Sequence, residues 1–212
     1  MKYDTIIFDL DGTLLDTLPD LTDAVNYSMT QLCFPTRTIA EIHDFVGNGI
    51  RKTIERSAPT TASAEEIEQA LTTFREYYFS HLTVKTKPFD GIMDLLRILY
   101  DRGIKMGIAS NKADFAVQQL NDYFFSGLDM IAFGESQTMP RKPAPDMAAQ
   151  LCQKLNAKNV LYVGDSDTDV QTARNAGVEQ ISVLWGYRSR QQLEQAGAVQ
   201  FVERPSEILE MV

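Results

Sequence analysis

Apolar positions fall into two rhythms along the chain. Short apolar runs at Thr5–Leu10, Ile104–Ala109, Met130–Phe133, Val160–Val163 and Gln180–Leu184 read as strands buried on both faces, the pattern of a parallel sheet. Between most of them the spacing turns helical. Ile92, Leu95, Leu96 and Leu99 share one face ahead of Gly103, and Met147, Leu151 and Leu155 share another after Pro145. Strand and helix in alternation predict an α/β fold with a doubly wound, Rossmann-like parallel sheet. The functional site of such a sheet lies at the carboxyl ends of its strands.

From about Asp16 to Leu82 the alternation stops. Leu18, Leu21, Val25, Met29 and Leu32 make one helical stripe, and Ile67, Leu71, Phe74 and Tyr78 make another. Thr38–Glu41 and Ser63–Glu66 each fit an S/T-x-x-E capping box, marking two more helix starts. Val46–Lys52, with Gly47 and Gly49, interrupts the pattern. Two domains are therefore expected: an α/β core from residues 1–15 and 83–212, and a small all-helical domain, 16–82, inserted after the first strand.

Composition narrows the partners. Lys and Arg number 20 against 29 Asp and Glu, a formal charge of −9, so neither nucleic acid nor an anionic membrane is the expected partner. Cys33 and Cys152 are the only cysteines and form no CxxC, and His43 and His81 do not cluster with them, which argues against a zinc site or a disulfide framework. The N-terminal apolar run is short and broken by acids, unlike a signal peptide, and no stretch approaches the ~20 apolar residues of a membrane span. A cytoplasmic location is the expectation.

Candidate chemistry sits where the strands end. The first runs out in Asp9-Leu10-Asp11-Gly12-Thr13, the second in Ala109-Ser110-Asn111, and the fourth in Gly164-Asp165-Ser166-Asp167-Thr168-Asp169; Arg141-Lys142-Pro143 precedes the fourth and reads as a helix opening. Parallel neighbours would bring these ends to one place. At least three carboxylates, a hydroxyl and a lysine would meet there. Carboxylates so close raise one another's pKa, and a hard divalent cation relieves the conflict; oxygen donors without His or Cys favour Mg²⁺. Ser110-Asn111 is also placed to cap the helix that follows. His43, His81 and Trp185 read as packing or surface residues.

DLDGT, Ser110, Lys142 and GDSDTD, in this order, resemble the haloacid dehalogenase superfamily of phosphohydrolases. The helical insertion is similar to the cap of its phosphoglycolate phosphatase and β-phosphoglucomutase branch. The resemblance implies that Asp9 is the nucleophile, forming a phosphoaspartate, and that Asp11 is the general acid and base. It implies Mg²⁺ held by Asp9, the Asp11 carbonyl, Asp165 and, directly or through another group, Asp169. Lys142 would neutralise nucleophile and phosphate, with Ser110, Asn111, Gly12 and Thr13 around the phosphoryl group and Arg51 of the cap binding the rest of the substrate. The expected partner is a small phosphate ester, most simply phosphoglycolate, acted on by a monomer or homodimer. A sugar-phosphate mutase on the same scaffold and, in a different class, a phosphoacceptor signalling module are the alternatives.

Overall fold

The computed structural model describes residues 2–47 and 49–212. Asn48, in the two-glycine stretch, lies outside them. Six parallel strands form the main sheet: β1 (Thr5–Phe8), β4 (Lys105–Ala113), β5 (Ile131–Glu135), β6 (Val160–Gly164), β7 (Glu179–Val183) and β8 (Phe201–Val202), in the order β5-β4-β1-β6-β7-β8. β1 is central and all of its residues are buried, which is why it reads as an uninterrupted apolar run. Helices α5 (Ile92–Asp101), α6 (Asp114–Phe124), α7 (Asp146–Lys154), α8 (Asp167–Ala176) and α9 (Arg190–Ala196) alternate with the strands. The expected doubly wound α/β fold is borne out.

Ile7 of β1, Ala109 of β4 and Tyr162 of β6 meet Met147, Ala148 and Leu151 of α7 in one buried cluster. Burial at this density sets the sheet as a rigid platform, and each fully buried aliphatic side chain contributes about 1.5–3 kcal/mol. β1 pairs with β4 through Phe8↔Ile108 and with β6 through Phe8↔Val163. Just past these positions Asp9 leaves the sheet, flanked by Ala109 and Gly164 on the neighbouring strands.

Contacts divide the chain into two compact units, residues 1–16 with 88–212, and residues 17–87. The second holds α1 (Leu18–Gln31), α2 (Ile39–Phe45), α3 (Ile50–Ser57) and α4 (Ala64–Phe79). Val25 and Met29 of α1 and Leu71, Phe74 and Tyr78 of α4 are buried, the faces that the apolar spacing marks out. Both capping boxes form, with Thr38 and Glu41 on α2 and Ser63 and Glu66 on α4. Asp20 accepts from the Lys85 and Thr86 N–H groups, so the first and last segments of this unit are tied together. The segments at the unit boundary, Leu15–Asp16 (β2) and Lys87–Pro88 (β3), pair as a separate two-stranded sheet.

Two local expectations fail. β4 does not stop at Ala109 but continues to Ala113, with a register shift against β5, and α6 begins at Asp114 without a side-chain cap. Ser110 and Asn111 do not cap that helix, since they lie within β4 ahead of the N-cap position, Ala113; Ser110 Oγ accepts from the Lys112 N–H (3.2 Å) and the Asn111 amide is engaged elsewhere. Nor do Arg141-Lys142-Pro143 open a helix. They lie in a turn, and α7 starts only at Asp146.

Candidate active site

Asp9 follows β1 directly, and its carboxylate is brought to the carboxyl edge of the sheet among other acids. Asp9, Asp165 and Asp169 are all buried, and each offers one oxygen within 4.8 Å of the others. Asp9 Oδ1 accepts from the Leu10 N–H at 2.7 Å and pairs with Lys142 Nζ at 2.8 Å. Lys142 Nζ also reaches Asp169 Oδ1 at 2.7 Å, so one buried ammonium bridges the acids that follow β1 and β6.

Asp169 is fully buried and has two tasks. Its Oδ1 accepts from Lys142 and from the Tyr162 hydroxyl (3.2 Å), while Oδ2 accepts from the Ser166 N–H (3.1 Å) and Oγ (2.6 Å). Ser166 in turn accepts from the Asp169 N–H, closing a capping box at the start of α8. Asp165 is held differently. Thr13 Oγ1 donates to its Oδ1 (2.9 Å) and the Tyr187 N–H to its Oδ2 (2.7 Å). Asp167, the first residue of α8, is half exposed and lies 3.9 Å from Arg188 Nε.

The electrostatics follow from burial. Asp9 is pushed well above the usual carboxylate range, first by burial and then by the charge of Asp169, against the opposing pull of Lys142. Asp165 is pushed up to about 7 by burial and Asp169, partly offset by its bonds from Tyr187 and Thr13. Burial alone would lower Lys142, but the charges of Asp169 and Asp9 overcome it and hold the ammonium well above its ordinary value. One lysine does not balance three acids. Buried oxygen donors this close, with no nitrogen or sulfur ligand among them, fit a hard divalent cation.

Close packing at Asp165 supports that fit. Gly12 has φ +85°, and a Cβ there would overlap the Asp165 carboxylate; a Cβ on Gly186 would run into Asp165 Cβ and the Gly12 carbonyl. The loop after β7 thus presses on Asp165: Trp185 Nε1 donates to the Thr13 carbonyl (3.0 Å), Gly186 makes the close approach, and Tyr187 supplies the N–H.

Of the residues singled out by sequence, Asp9, Lys142, Asp165 and Asp169 converge. Ser110 is buried at the end of the same sheet edge. Thr13 turns its hydroxyl to Asp165, and Asn111 turns its amide to the main chain of Lys142, donating to the carbonyl (3.1 Å) and accepting from the N–H (2.6 Å). The Asp11 carboxylate pairs with Lys112 Nζ at 2.9 and 3.1 Å. Arg51, on α3, makes a bidentate pair with Glu68 of α4 at 2.6 and 3.0 Å. Sequence reasoning missed Lys112, Tyr162 and the Trp185-Gly186-Tyr187 loop. The available signal was position: each lies at or just beyond the carboxyl end of a sheet strand, or in the case of Tyr162 within one.

The model of the haloacid dehalogenase-like hydrolase family matches residues 6–183. A phosphoglycolate phosphatase from Thiobacillus denitrificans is 33% identical over 195 residues, spanning 86% of this chain and 83% of the relative. An N-acetylmuramic acid 6-phosphate phosphatase from Pseudomonas aeruginosa is 26% identical over all of this chain and 96% of its own. Among solved structures, a Lactobacillus delbrueckii subsp. bulgaricus protein provisionally assigned as a phosphoglycolate phosphatase superposes with TM-score 0.93 at 36% identity, covering 100% of this chain and 98% of that one. The chain belongs to the haloacid dehalogenase-like hydrolases, in their phosphoglycolate phosphatase branch. It is an enzyme, a phosphoric monoester hydrolase, and among its described residues no helix is long and apolar enough to cross a membrane.

Proposed function

We propose that the protein is a Mg²⁺-dependent phosphatase of a small phosphorylated metabolite, phosphoglycolate in the first instance, working through a phosphoaspartate on Asp9. The observation that carries this reading is the anchored nucleophile: a buried carboxylate directly after the central strand, held by Lys142 Nζ and the Leu10 N–H beside two further acids. Phosphoglycolate as the substrate is supported by the names of the relatives at 33% and 36% identity.

An oxygen of Asp9 attacks phosphorus as the ester bond breaks, and Asp11 protonates the departing oxygen. Water then attacks the phosphoaspartate, giving its proton to Asp11, and phosphate leaves. Lys142 balances charge on the nucleophile and on the incoming dianion, and Ser110 is the hydroxyl proposed to hold a phosphoryl oxygen. Asp9, Asp165, Asp169 and the Asp11 carbonyl are the groups proposed to hold Mg²⁺, which when bound supplies Lewis-acid charge stabilisation of the phosphoryl oxygens. Phosphate monoester hydrolysis needs such help, since enzymes accelerate it by up to ~10²¹-fold. We assign selection among esters to the helical unit, with Arg51 proposed to bind the substrate's non-phosphate end.

Phosphate release is to be measured over a panel holding phosphoglycolate, N-acetylmuramic acid 6-phosphate and glucose 1-phosphate, with Mg²⁺ and with EDTA. The expected result is metal-dependent turnover with the highest kcat/KM on phosphoglycolate. The full-length similarity to the N-acetylmuramic acid 6-phosphate enzyme makes that larger ester the second candidate. Isomerised sugar phosphate without free phosphate would replace the hydrolase reading by a mutase.

A further inference from the structure

Lys112 stands at the far end of β4, in the part of the strand that sequence periodicity does not foresee. Its side chain is only 8% exposed, and Nζ lies 2.9 Å from Asp11 Oδ1 and 3.1 Å from Oδ2. The partners are 101 residues apart, so the pair is a product of β1 and β4 lying side by side. The main chain that carries Lys112 is braced. Its N–H donates to Ser110 Oγ, and β5 comes so near at Gly134 that a Cβ there would stand 2.6 Å from the Lys112 carbonyl. Asp114 Oδ1 accepts from the Gly134 N–H at 2.8 Å and fixes that approach.

The two acids of the first motif are thus held unequally. The Asp9 side chain is 11% exposed and anchored by its own neighbours, whereas that of Asp11 is 28% exposed and shares both oxygens with Lys112. A carboxyl group that must meet first an ester oxygen and then a water needs a defined position, because small misplacements of a catalytic group are costly. An ammonium on a braced strand provides one.

We propose that Lys112 is a positioning residue for the reaction, acting through Asp11; this rests on Asp11 being the acid and base. In the first displacement a bond forms from Asp9 oxygen to phosphorus. The ester P–O bond breaks with its electron pair on the leaving oxygen, which takes the Asp11 proton. In the second, water oxygen bonds to phosphorus, the pair of the breaking phosphoaspartate bond returns to Asp9, and the water's proton goes to Asp11. Lys112 keeps all of its protons in both steps. Its contribution is to limit where the Asp11 carboxyl can turn.

A purely structural lysine would slow all esters alike, whereas a lysine acting through the acid slows those whose leaving group needs a proton. The test is single-turnover cleavage of p-nitrophenyl phosphate, phenyl phosphate and an alkyl phosphate by K112M, K112R and D11N. K112M is expected to slow the alkyl ester ten- to a hundredfold and the p-nitrophenolate burst less than threefold. K112R, with the charge spread over a planar fork, is expected to show a smaller loss of the same selectivity and serves if K112M does not fold. If D11N shows the selectivity and the folded Lys112 variants slow all esters equally, or none, the inference is overturned. If D11N itself lacks the selectivity, the acid–base reading of Asp11 fails first.

Discussion

Asn111 clasps the main chain of Lys142, accepting from its N–H at 2.6 Å and donating to its carbonyl at 3.1 Å. The β4 end and the turn before α7 are thereby joined at the point from which the bridging ammonium projects. Truncation in N111A leaves two backbone groups without that partner and lets the turn drift. We expect a stability loss of about 1–3 kcal/mol by urea unfolding and a fall in kcat of about 10–100-fold, as for other residues that orient a site. Wild-type kcat would show that Lys142 is placed without Asn111.

Removing either end of the Asp9–Lys142 pair has opposite effects on stability. D9N should abolish turnover, with a loss exceeding about 10³-fold, and it deletes one of three crowded acids, so thermal stability in EDTA should hold or rise. K142M leaves Asp9 and Asp169 buried without their cation, and an unpaired buried charge costs about 3–5 kcal/mol. A thermal melt of both variants decides it. A D9N protein with substantial activity would remove the nucleophile assignment.

The raised carboxylates predict an unusual pH dependence. Asp165 stands at about 7 in the fold against about 3.9 when unfolded, and Asp9 is raised as well. Between these values the folded chain binds more protons than the unfolded one, so stability declines as pH rises through the window, by a few kcal/mol at most. Asp4 works the other way. Burial alone would raise it, yet the Asn159 and Lys158 N–H groups leave it lowered, so its contribution is lost only on acidification. In EDTA the melting temperature should therefore drop from pH 5 to 7.5, and Mg²⁺ should flatten the curve while releasing protons on binding. Calorimetry in buffers of different ionisation enthalpy would detect those protons. A melting temperature that is flat or rises with pH in EDTA would contradict the assignment.

Gly186 gives a second handle on the Asp165 carboxylate. A methyl group there collides with Asp165 and with the Gly12 carbonyl, so G186A should weaken Mg²⁺ activation by about tenfold or more, as disturbing the support of a metal ligand does. The apparent Mg²⁺ constant for phosphate release is the measurement. An unchanged constant would mean that the loop gives way freely.

The acids were legible because one rule covers them: in a parallel sheet, whatever follows a buried strand lies at the same edge. Asp9 and Asp165 needed no more than that, whereas Lys142, expected at a helix opening, lies in a turn and stood out through its likeness to the family pattern. Lys112 was not legible, since the run Ile104–Ala109 ends where β4 continues through Ser110-Asn111-Lys112, polar residues whose extended backbone depends on tertiary bonds to Lys142 and β5. Trp185 was read as packing or surface because an indole has no titratable group, although its N–H fixes the Thr13 carbonyl. Both helical capping boxes were visible in the sequence because they are closed within four residues.

Arg51 tests the specificity assignment. Its pair with Glu68 is solvent-exposed on both sides, and such pairs contribute about 0–1 kcal/mol, so releasing the guanidinium is cheap. R51A should leave stability nearly unchanged and raise KM for phosphoglycolate far more than for p-nitrophenyl phosphate. Equal effects on the two esters would take Arg51 out of substrate selection.

Asp169 has a consequence for anyone screening variants of this protein. The same carboxyl group that faces Lys142 also fastens the first turn of α8 through Ser166, so a change there alters yield and chemistry together. Lysate assays would score such variants as dead for two reasons at once, and only rates normalised to folded, soluble enzyme would tell a misfolded product from an inert one.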